Sequence, residues 1–144
     1  MKKDNINALD EIHKGACMGM DATKFVLEIT ENKSLRDVLE KQYKDYKDIA
    51  KEIEEIYPKY NEGKPHETTF MNKMMTWYGI QMRTMKDHTT SKLSELLMQG
   101  TNMGIIEGRR LINENANAAD DVKGILHDFV VMQEDSIEIL KKYL

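Results

Sequence analysis

Apolar side chains recur every three or four residues along most of this chain, and that spacing is typical of a helix that buries one face. The pattern predicts a first helix over residues 5–31 and a second over 35–57. Between them, Ser34 stands three residues before Asp37, an arrangement related to the capping box that begins a helix. Because the connection is so short, the two helices are expected to form an antiparallel hairpin.

Both apolar stripes include polar residues. The first comprises Ile6, Leu9, His13, Ala16, Met20, Thr23, Leu27 and Thr30. The second comprises Leu35, Val38, Leu39, Gln42, Tyr46, Ile49, Ile53 and Ile56. Pro58, Gly63 and Pro65 follow and are expected to end the second helix.

The helical pattern resumes at residue 68 and continues to 113, which as one helix would be about 70 Å long, against about 40 Å for the first helix. A break is therefore expected. Gly79 and Gly100 are the candidate positions, because glycine inside a helix costs about 1 kcal/mol relative to alanine. We predict a short helix over 69–78 and a main third helix over 80–113.

A fourth helix is predicted over 118–143, with Asn117 and Asp120 as candidates to begin it. Its stripe comprises Val122, Leu126, Phe129, Gln133, Ser136, Leu140 and Tyr143. The expected core face of the third helix comprises Met82, Met85, Thr89, Leu93, Leu96, Gly100, Met103 and Glu107. No alternating apolar runs flank a hairpin turn, so no strand is predicted and the fold class is all-α.

The two predicted hairpins resemble each other. Met18-Gly19 can be aligned with Met103-Gly104 if a two-residue shift is allowed in the turn. The aligned pairs are Leu35 with Val122, Val38 with Ile125, Leu39 with Leu126, Tyr46 with Gln133, and Ile53 with Leu140. One interpretation is that one hairpin is a diverged copy of the other, and the alternative is chance similarity between two amphipathic hairpins.

Two similar hairpins joined by a connection of about 20 residues resemble the ferritin-like superfamily. The segments that carry the resemblance are ALDEIHKGACMGMDATKFVLEITENKSLRDVLEKQYKDYKDI and MGIIEGRRLINENANAADDVKGILHDFVVMQEDSIEIL. They are most similar to small uncharacterised bacterial ferritin-like proteins and, more faintly, to the coat F family of spore-forming bacteria. The resemblance implies a four-helix bundle of two antiparallel hairpins. The sequence leaves open whether the connection between helices two and three crosses the bundle.

The ferritin-like di-metal site takes a Glu from each of two helices and a Glu-x-x-His from each of the other two. This sequence departs from that pattern. The second helix contains no histidine, and Glu134 in the fourth is followed three residues later by Ile137. Asp10 and His13 form the one carboxylate-x-x-histidine pair, in the first helix, where the resemblance implies a single Glu. We therefore expect no paired-metal centre and no ferroxidase, peroxidase or oxygenase activity.

A different metal site remains a hypothesis. If the connection crosses the bundle, His13, Glu107 and His127 come to similar heights, with Glu52 nearby. Two imidazoles with one or two carboxylates suit iron, manganese or zinc. If the helices simply run up and down, His127 moves to the far end and this site cannot form. His127 also sits one position off its core stripe, and a structural role for each histidine is the alternative.

Gln42, Tyr46 and Gln133 lie on core stripes at about the height where the resemblance implies metal ligands. Buried amides and phenols need hydrogen-bond partners, so these residues are expected to form a small neutral network or to trap water. Neutral polar contacts would then replace ionic coordination.

The chain holds 11 methionines, several of them in a segment that also contains three aromatic residues. This methionine segment comprises Phe70, Met71, Met74, Met75, Trp77, Tyr78, Met82 and Met85. Thioethers bind Cu(I), and His66 and His88 flank the segment, so copper binding is one hypothesis. Methionine also forms adaptable packing surfaces, and we expect the segment to cover the bundle or to form a homodimer contact.

Composition narrows the function classes further. The chain has 144 residues, a net charge of −4 and interleaved acidic and basic residues, so it lacks the basic patch that binds nucleic acid. Acids such as Glu52, Glu54 and Glu55 alternate with lysines and predict a solvated helix face.

No apolar run approaches the roughly 20 residues of a membrane span, and the first residues do not resemble a signal peptide, so a cytoplasmic protein is expected. Cys17 is the single cysteine, and we expect a small buried residue rather than a reactive thiol.

These features predict an all-α, ferritin-like bundle without a metal centre, a cofactor or a phosphate-binding motif. Its expected role is structural or partner-binding, as a homodimer or with another protein. One alternative is an enzyme or metal store with an atypical site at His13, Glu107 and His127. Another is a spore-coat-like assembly protein.

Overall fold

The computed structural model describes the backbone of residues 2–66 and 69–144 and the side chains of residues 3–66 and 76–144. All secondary structure within these ranges is helical, as predicted. The α-helices are α1 (Lys2–Ile29), α2 (Lys33–Ile56), α3 (Thr69–Thr84), α4 (Thr90–Glu114) and α5 (Asp120–Leu140). Short 3₁₀ turns cover Tyr57–Lys59 and Lys141–Tyr143. No helix in the described ranges combines the length and apolar character needed to cross a membrane.

The predicted break at Gly79 is wrong, because α3 continues through this glycine to Thr84 and α4 begins only at Thr90. Capping side chains determine where the break lies. Thr89 caps α4 by accepting a hydrogen bond from the backbone N–H of Lys92, and Asp87 in turn accepts one from the backbone N–H of Thr89. The glycine penalty of about 1 kcal/mol is too small to end a helix by itself. Met82, Met85 and Thr89 therefore do not belong to α4.

Two other helix starts also differ from the prediction. Asn32, rather than Ser34, caps α2, since its side chain accepts a hydrogen bond of 2.8 Å from the backbone N–H of Leu35. Neither Asn117 nor Asp120 caps α5. Instead, Asn5 of α1 accepts a hydrogen bond of 2.7 Å from the backbone N–H of Ala119, so the cap comes from another helix.

The connection between α2 and α4 runs from one end of the molecule to the other. The Asn5–Ala119 hydrogen bond places the start of α1 beside the start of α5, so these helices are parallel. A hydrogen bond of 2.6 Å between Ser34 and Tyr143 places the start of α2 beside the end of α5, so these two are antiparallel. Because α4 and α5 form a hairpin, α4 runs parallel to α2. The chain must then cross the full length of the molecule between them.

The hydrophobic core consists of two clusters. One lies toward the start of α1 and contains Leu9, Ile12, Tyr57 and Phe129 among its fully buried side chains. The other lies toward the end of α1 and includes residues of all five helices: Ala22, Val26, Leu35, Leu39, Tyr78, Leu93, Leu96, Leu97 and Leu140. The buried residues of α2 and α5 follow the predicted stripes. Between the two clusters the core is polar, and this region is the candidate site.

Candidate functional site

The hydrogen bond between Tyr46 of α2 and Gln133 of α5 joins the two hairpins at the middle of the core. Gln133 Nε2 donates to the Tyr46 hydroxyl over 3.3 Å, and both residues are 3% exposed. The Tyr46 ring also makes an edge-to-face contact with Phe129, with 6.3 Å between the ring centroids. Burial raises the pKa of Tyr46, outweighing the opposing effect of hydrogen bonds with Gln133 and Thr101, so the phenol stays neutral.

Two glycines provide the space for these side chains. A Cβ atom at Gly19 of α1 would overlap with the Tyr46 ring, and a Cβ atom at Gly104 of α4 would overlap with the Gln133 amide. The alignment of the hairpins pairs these two glycines with each other, and Tyr46 with Gln133. In each hairpin, therefore, a glycine on the first helix faces a polar residue on the second. The two polar residues then bind each other across the core.

A cavity of about 30 Å³ adjoins this pair of side chains. Its lining includes Gln42, Tyr46, Thr101 and Gln133, which we call the central polar cluster. Gln42 Nε2 and Gln133 Oε1 have no hydrogen-bond partner among the described residues, although Gln42 is only 5% exposed. A donor and an acceptor beside a cavity of this size suit one or two water molecules. Hydrogen bonding between Tyr46 and Gln133 agrees with the predicted neutral network.

The chemistry available to the central polar cluster is limited. It offers two amides, a phenol and the hydroxyl of Thr101, which donates to the Leu97 carbonyl over 2.7 Å. None of these groups titrates near neutral pH, so none is a general acid or base there. Iron, manganese and zinc sites use mainly carboxylates and imidazoles, which the cluster lacks. It is suited to holding the two hairpins together.

The structure does not bring His13, Glu107 and His127 together as a set of metal ligands. His13 Nε2 lies 3.5 Å from a carboxylate oxygen of Glu54. Glu107 is 5% exposed and pairs with the guanidinium of Arg110; burial raises its pKa, and Arg110 opposes that effect. His127 is exposed on α5. Within the described ranges, no group of three or more His, Cys, Asp or Glu residues is placed to hold a metal ion.

Asp10 does not act with His13, although they are three residues apart on α1. One oxygen of the buried Asp10 carboxylate accepts hydrogen bonds from the Tyr57 hydroxyl at 2.7 Å and from the backbone N–H of His66 at 2.8 Å. This arrangement fastens the start of the long connection to α1. Asp10 and Tyr57 are far apart in the sequence, so periodicity gave no signal for the contact.

Cys17 is half-buried, and its Sγ atom lies 3.9 Å from Nδ1 of His13. Burial is the main cause that raises the pKa of this thiol; Asp21 adds to the increase and Lys14 opposes it. A reactive cysteine needs a lowered pKa, because the thiolate is the nucleophile. The environment of Cys17 has the opposite effect.

The described part of the methionine segment packs against the bundle, with Tyr78 buried and Trp77, Met82 and Met85 partly buried. Trp77, Met82 and Met85 contact the second hydrophobic cluster. Tyr78 is buried against Gly100, where a Cβ atom would overlap with its ring, and its hydroxyl donates to the Leu96 carbonyl over 3.0 Å. The side chains of Phe70, Met71, Met74 and Met75 lie outside the described residues.

Neither of the two histidines that flank the methionine segment is seen to contact a methionine sulfur atom among the described side chains. His66 lies beside Asp10, with 3.4 Å between Nδ1 and a carboxylate oxygen. His88 contacts the Met85 backbone carbonyl through Nε2 at 3.2 Å. The copper hypothesis gains no support from these contacts.

Comparisons of this chain with protein-family models, with curated proteins and with solved structures found no match in any of the three. The resemblance to ferritin-like proteins accordingly remains a hypothesis that rests on helix spacing and turn position.

Proposed function

We propose that this protein is a non-catalytic helical bundle with a ferritin-like arrangement, and that it acts by binding a partner protein. In this proposal the central polar cluster occupies the place that metal ligands hold in ferritin-like proteins. The order of the helices supports the comparison. Two antiparallel hairpins, α1–α2 and α4–α5, are joined by a connection that crosses the length of the molecule.

The observation that carries the proposal is the hydrogen bond between Tyr46 and Gln133, with their side chains seated against Gly19 and Gly104. Neutral side chains in close contact with the glycine backbones fill the middle of the core. The lining of the remaining cavity contains no carboxylate and no imidazole, the ligands that a di-metal site of the ferritin-like kind uses. The residue types and the packing both favour a role in holding the hairpins together.

Metal content tests this proposal. Protein purified without chelators is incubated with Fe(II), Mn(II) or Zn(II), passed through gel filtration, and analysed for bound metal. We expect well below one ion per chain for each metal. Two matched variants distinguish the possible sources of bound metal. His13→Ala tests a site in the core, and His88→Ala tests binding to an exposed imidazole.

A stoichiometric ion that His13→Ala removes and His88→Ala does not would contradict the proposal. It would instead favour a metal store or an oxidoreductase with an atypical site. Light scattering tests the other alternative, because an assembly protein of the spore-coat kind should form ordered oligomers larger than a dimer.

The sequence predicts either a homodimer, formed through the methionine segment, or a complex with another protein. Trp77, Met82 and Met85 are partly buried against the core of their own chain, which reduces the surface that they offer to a second copy. We therefore propose that the partner is a different protein.

A further inference from the structure

A groove between α2 and α5 lies on the surface of the protein and has a volume of about 710 Å³. Its apolar floor is formed by Val38, Ile49, Val131, Met132 and Ile139. Val131 and Ile139, both on α5, are 39% and 37% exposed and line the same groove, so they offer apolar surface to a partner. All residues that line this α2–α5 groove belong to these two helices.

The opposite side of the molecule shows how a groove between two of these helices is filled. There α3 lies against α1, and its Tyr78 inserts against Gly100 of α4. An amphipathic helix with large apolar side chains thus covers the α1–α4 side. Within the described ranges, no helix covers the α2–α5 side in the same way.

The rims of the α2–α5 groove are acidic. The rim residues that carry a negative charge are Asp37, Asp45, Asp48, Asp128 and Asp135. Lys41 is the one lysine or arginine that lines the groove, and it pairs with Asp45 at 2.8 Å. Lys44 pairs with Asp48 at 2.7 Å. Asp37, Asp128 and Asp135 have no ion pair among the described residues.

The negative charge of Asp128 affects the pKa of a neighbouring carboxylate, Glu52. The pKa of Glu52 on α2 is raised, first by partial burial and then by the negative charge of Asp128 across the seam between the helices. The charge of Asp128 on α5 therefore acts on a carboxylate of α2. A surface with acidic rims repels phosphate groups and attracts lysine and arginine.

A second copy of the chain fits the groove poorly. Two grooves placed face to face would oppose aspartates with aspartates, which is unfavourable. The exposed arginines of α4 are already in ion pairs, Arg109 with Glu134 and Arg110 with Glu107. A partner of opposite charge is the better match.

We propose that the α2–α5 groove binds an amphipathic helix of a partner protein, whose apolar stripe packs on Val131 and Ile139 and whose lysines or arginines face the rim aspartates. The groove extends along α2 from residue 37 to 49, about 18 Å, which matches roughly three turns of a bound helix. This inference rests on the proposed partner-binding function and gives that partner a chemical class.

Synthetic peptides of about 18 residues test the proposal, since they form five helical turns. The first peptide has leucines at helical spacing flanked by lysines. The second replaces every lysine with glutamate, and the third keeps the lysines but scatters the leucines. Binding of each labelled peptide to the full chain is followed by fluorescence anisotropy. We expect the first peptide to bind at least about tenfold more tightly than the other two, and to weaken as salt is raised.

A pair of variants locates the binding surface. Val131→Lys combined with Ile139→Lys should weaken binding of the first peptide by about tenfold or more, through lost apolar contact and added repulsion. Ile106→Lys is the matched control, because Ile106 is 51% exposed on α4 and does not line the groove. It should leave binding unchanged, and all variants should keep the wild-type circular dichroism spectrum.

Equal affinity for the lysine and glutamate peptides, or no effect of the double variant, would overturn the groove assignment. A dimer that the double variant dissociates would also overturn it, since the occupant would then be a second copy. Metal content distinguishes this failure from failure of the proposed function. If the protein binds no metal and also does not bind the lysine peptide, only the groove proposal is refuted. If it binds a stoichiometric metal ion in its core, the proposed non-catalytic function is refuted.

Discussion

The central polar cluster and the α2–α5 groove both contain polar residues of α2 and α5, yet they differ in charge and in partners. In the cluster the side chains are neutral, and Tyr46 and Gln133 bind each other. In the groove five of the lining side chains are aspartates, and three of these have no ion pair among the described residues. Gln42 borders both regions.

The two regions show that polar residues have different roles when they are buried and when they are exposed. A buried polar group needs a hydrogen-bond partner, either in the protein or an ordered water, because bulk solvent cannot reach it. An exposed carboxylate remains hydrated and can exchange water for a cationic partner at little cost to folding. Substitutions in the cluster should therefore change stability, and substitutions in the groove should change binding.

The largest loss of stability is expected for Gly19→Ala. The new methyl group would overlap with the Tyr46 ring, whose movement would disturb its contacts with Phe129 and Gln133, so overpacking should exceed the gain in helix propensity. We expect a net loss of about 2 kcal/mol in the free energy of unfolding. Urea denaturation followed by circular dichroism measures this value.

Gly124→Ala is the matched control for this substitution. Nothing lies within 4 Å of a Cβ atom built at Gly124, so the helix should gain up to about 1 kcal/mol. If Gly19→Ala proves as stable as Gly124→Ala, the Tyr46 ring does not sit against Gly19.

Gly104→Ala should cost less than Gly19→Ala, about 1 kcal/mol. The Gln133 side chain is flexible and can move away from the added methyl group more easily than the Tyr46 ring. Moving it should break the hydrogen bond to Tyr46, so the effect of Gly104→Ala should be smaller in a Tyr46→Phe background. Strictly additive effects of the two changes would argue against this coupling.

Tyr46→Phe should keep the fold and lower the free energy of unfolding by about 1 kcal/mol. The substitution removes the acceptor for Gln133 Nε2 but retains the ring contact with Phe129. Thermal and urea denaturation measure the loss. Failure of the variant to fold would contradict this account of the cluster.

The smallest effect on stability is expected in the groove. Asp128→Asn should change the free energy of unfolding by less than about 0.5 kcal/mol. It should also lower the pKa of Glu52 toward its ordinary value, because Asp128 contributes to the increase. NMR titration of the Glu52 carboxyl group measures this shift.

Asp37→Asn provides the comparison, since Asp37 is not among the causes of the raised pKa of Glu52. A Glu52 titration that moves equally in both variants would show that the negative potential is not local to Asp128. A loss of several kcal/mol in Asp128→Asn would make this rim residue structural.

Hydrophobic periodicity was sufficient to predict α1, α2 and α5 and to place Tyr46 and Gln133 in the core. Both residues interrupt apolar stripes whose spacing is otherwise regular, and the hairpin alignment already paired them. The boundary between α3 and α4 was missed because Thr89 has the spacing of a core residue but acts as an N-cap. Local capping outweighed the position of Gly79.

The contacts of the charged residues could not be predicted in the same way. Similar height along the molecule does not bring His13, Glu107 and His127 together, since His13 Nε2 lies 3.5 Å from Glu54 and His127 is exposed on α5. The sequence predicts that the acids of α2 form a solvated face. Periodicity identifies this exposed side of α2, but it does not show that the acidic side of α5 lies next to it.

The central claim is that neutral side chains occupy the middle of the core, and an anomalous difference map tests it most directly. Crystals are grown from protein purified without chelators, and data are collected at the iron, manganese and zinc absorption edges. We predict an intact Tyr46–Gln133 hydrogen bond, with density beside Gln42 that has the size of water and no anomalous signal. An anomalous peak between the hairpins, coordinated by His13 or Glu107, would contradict the account.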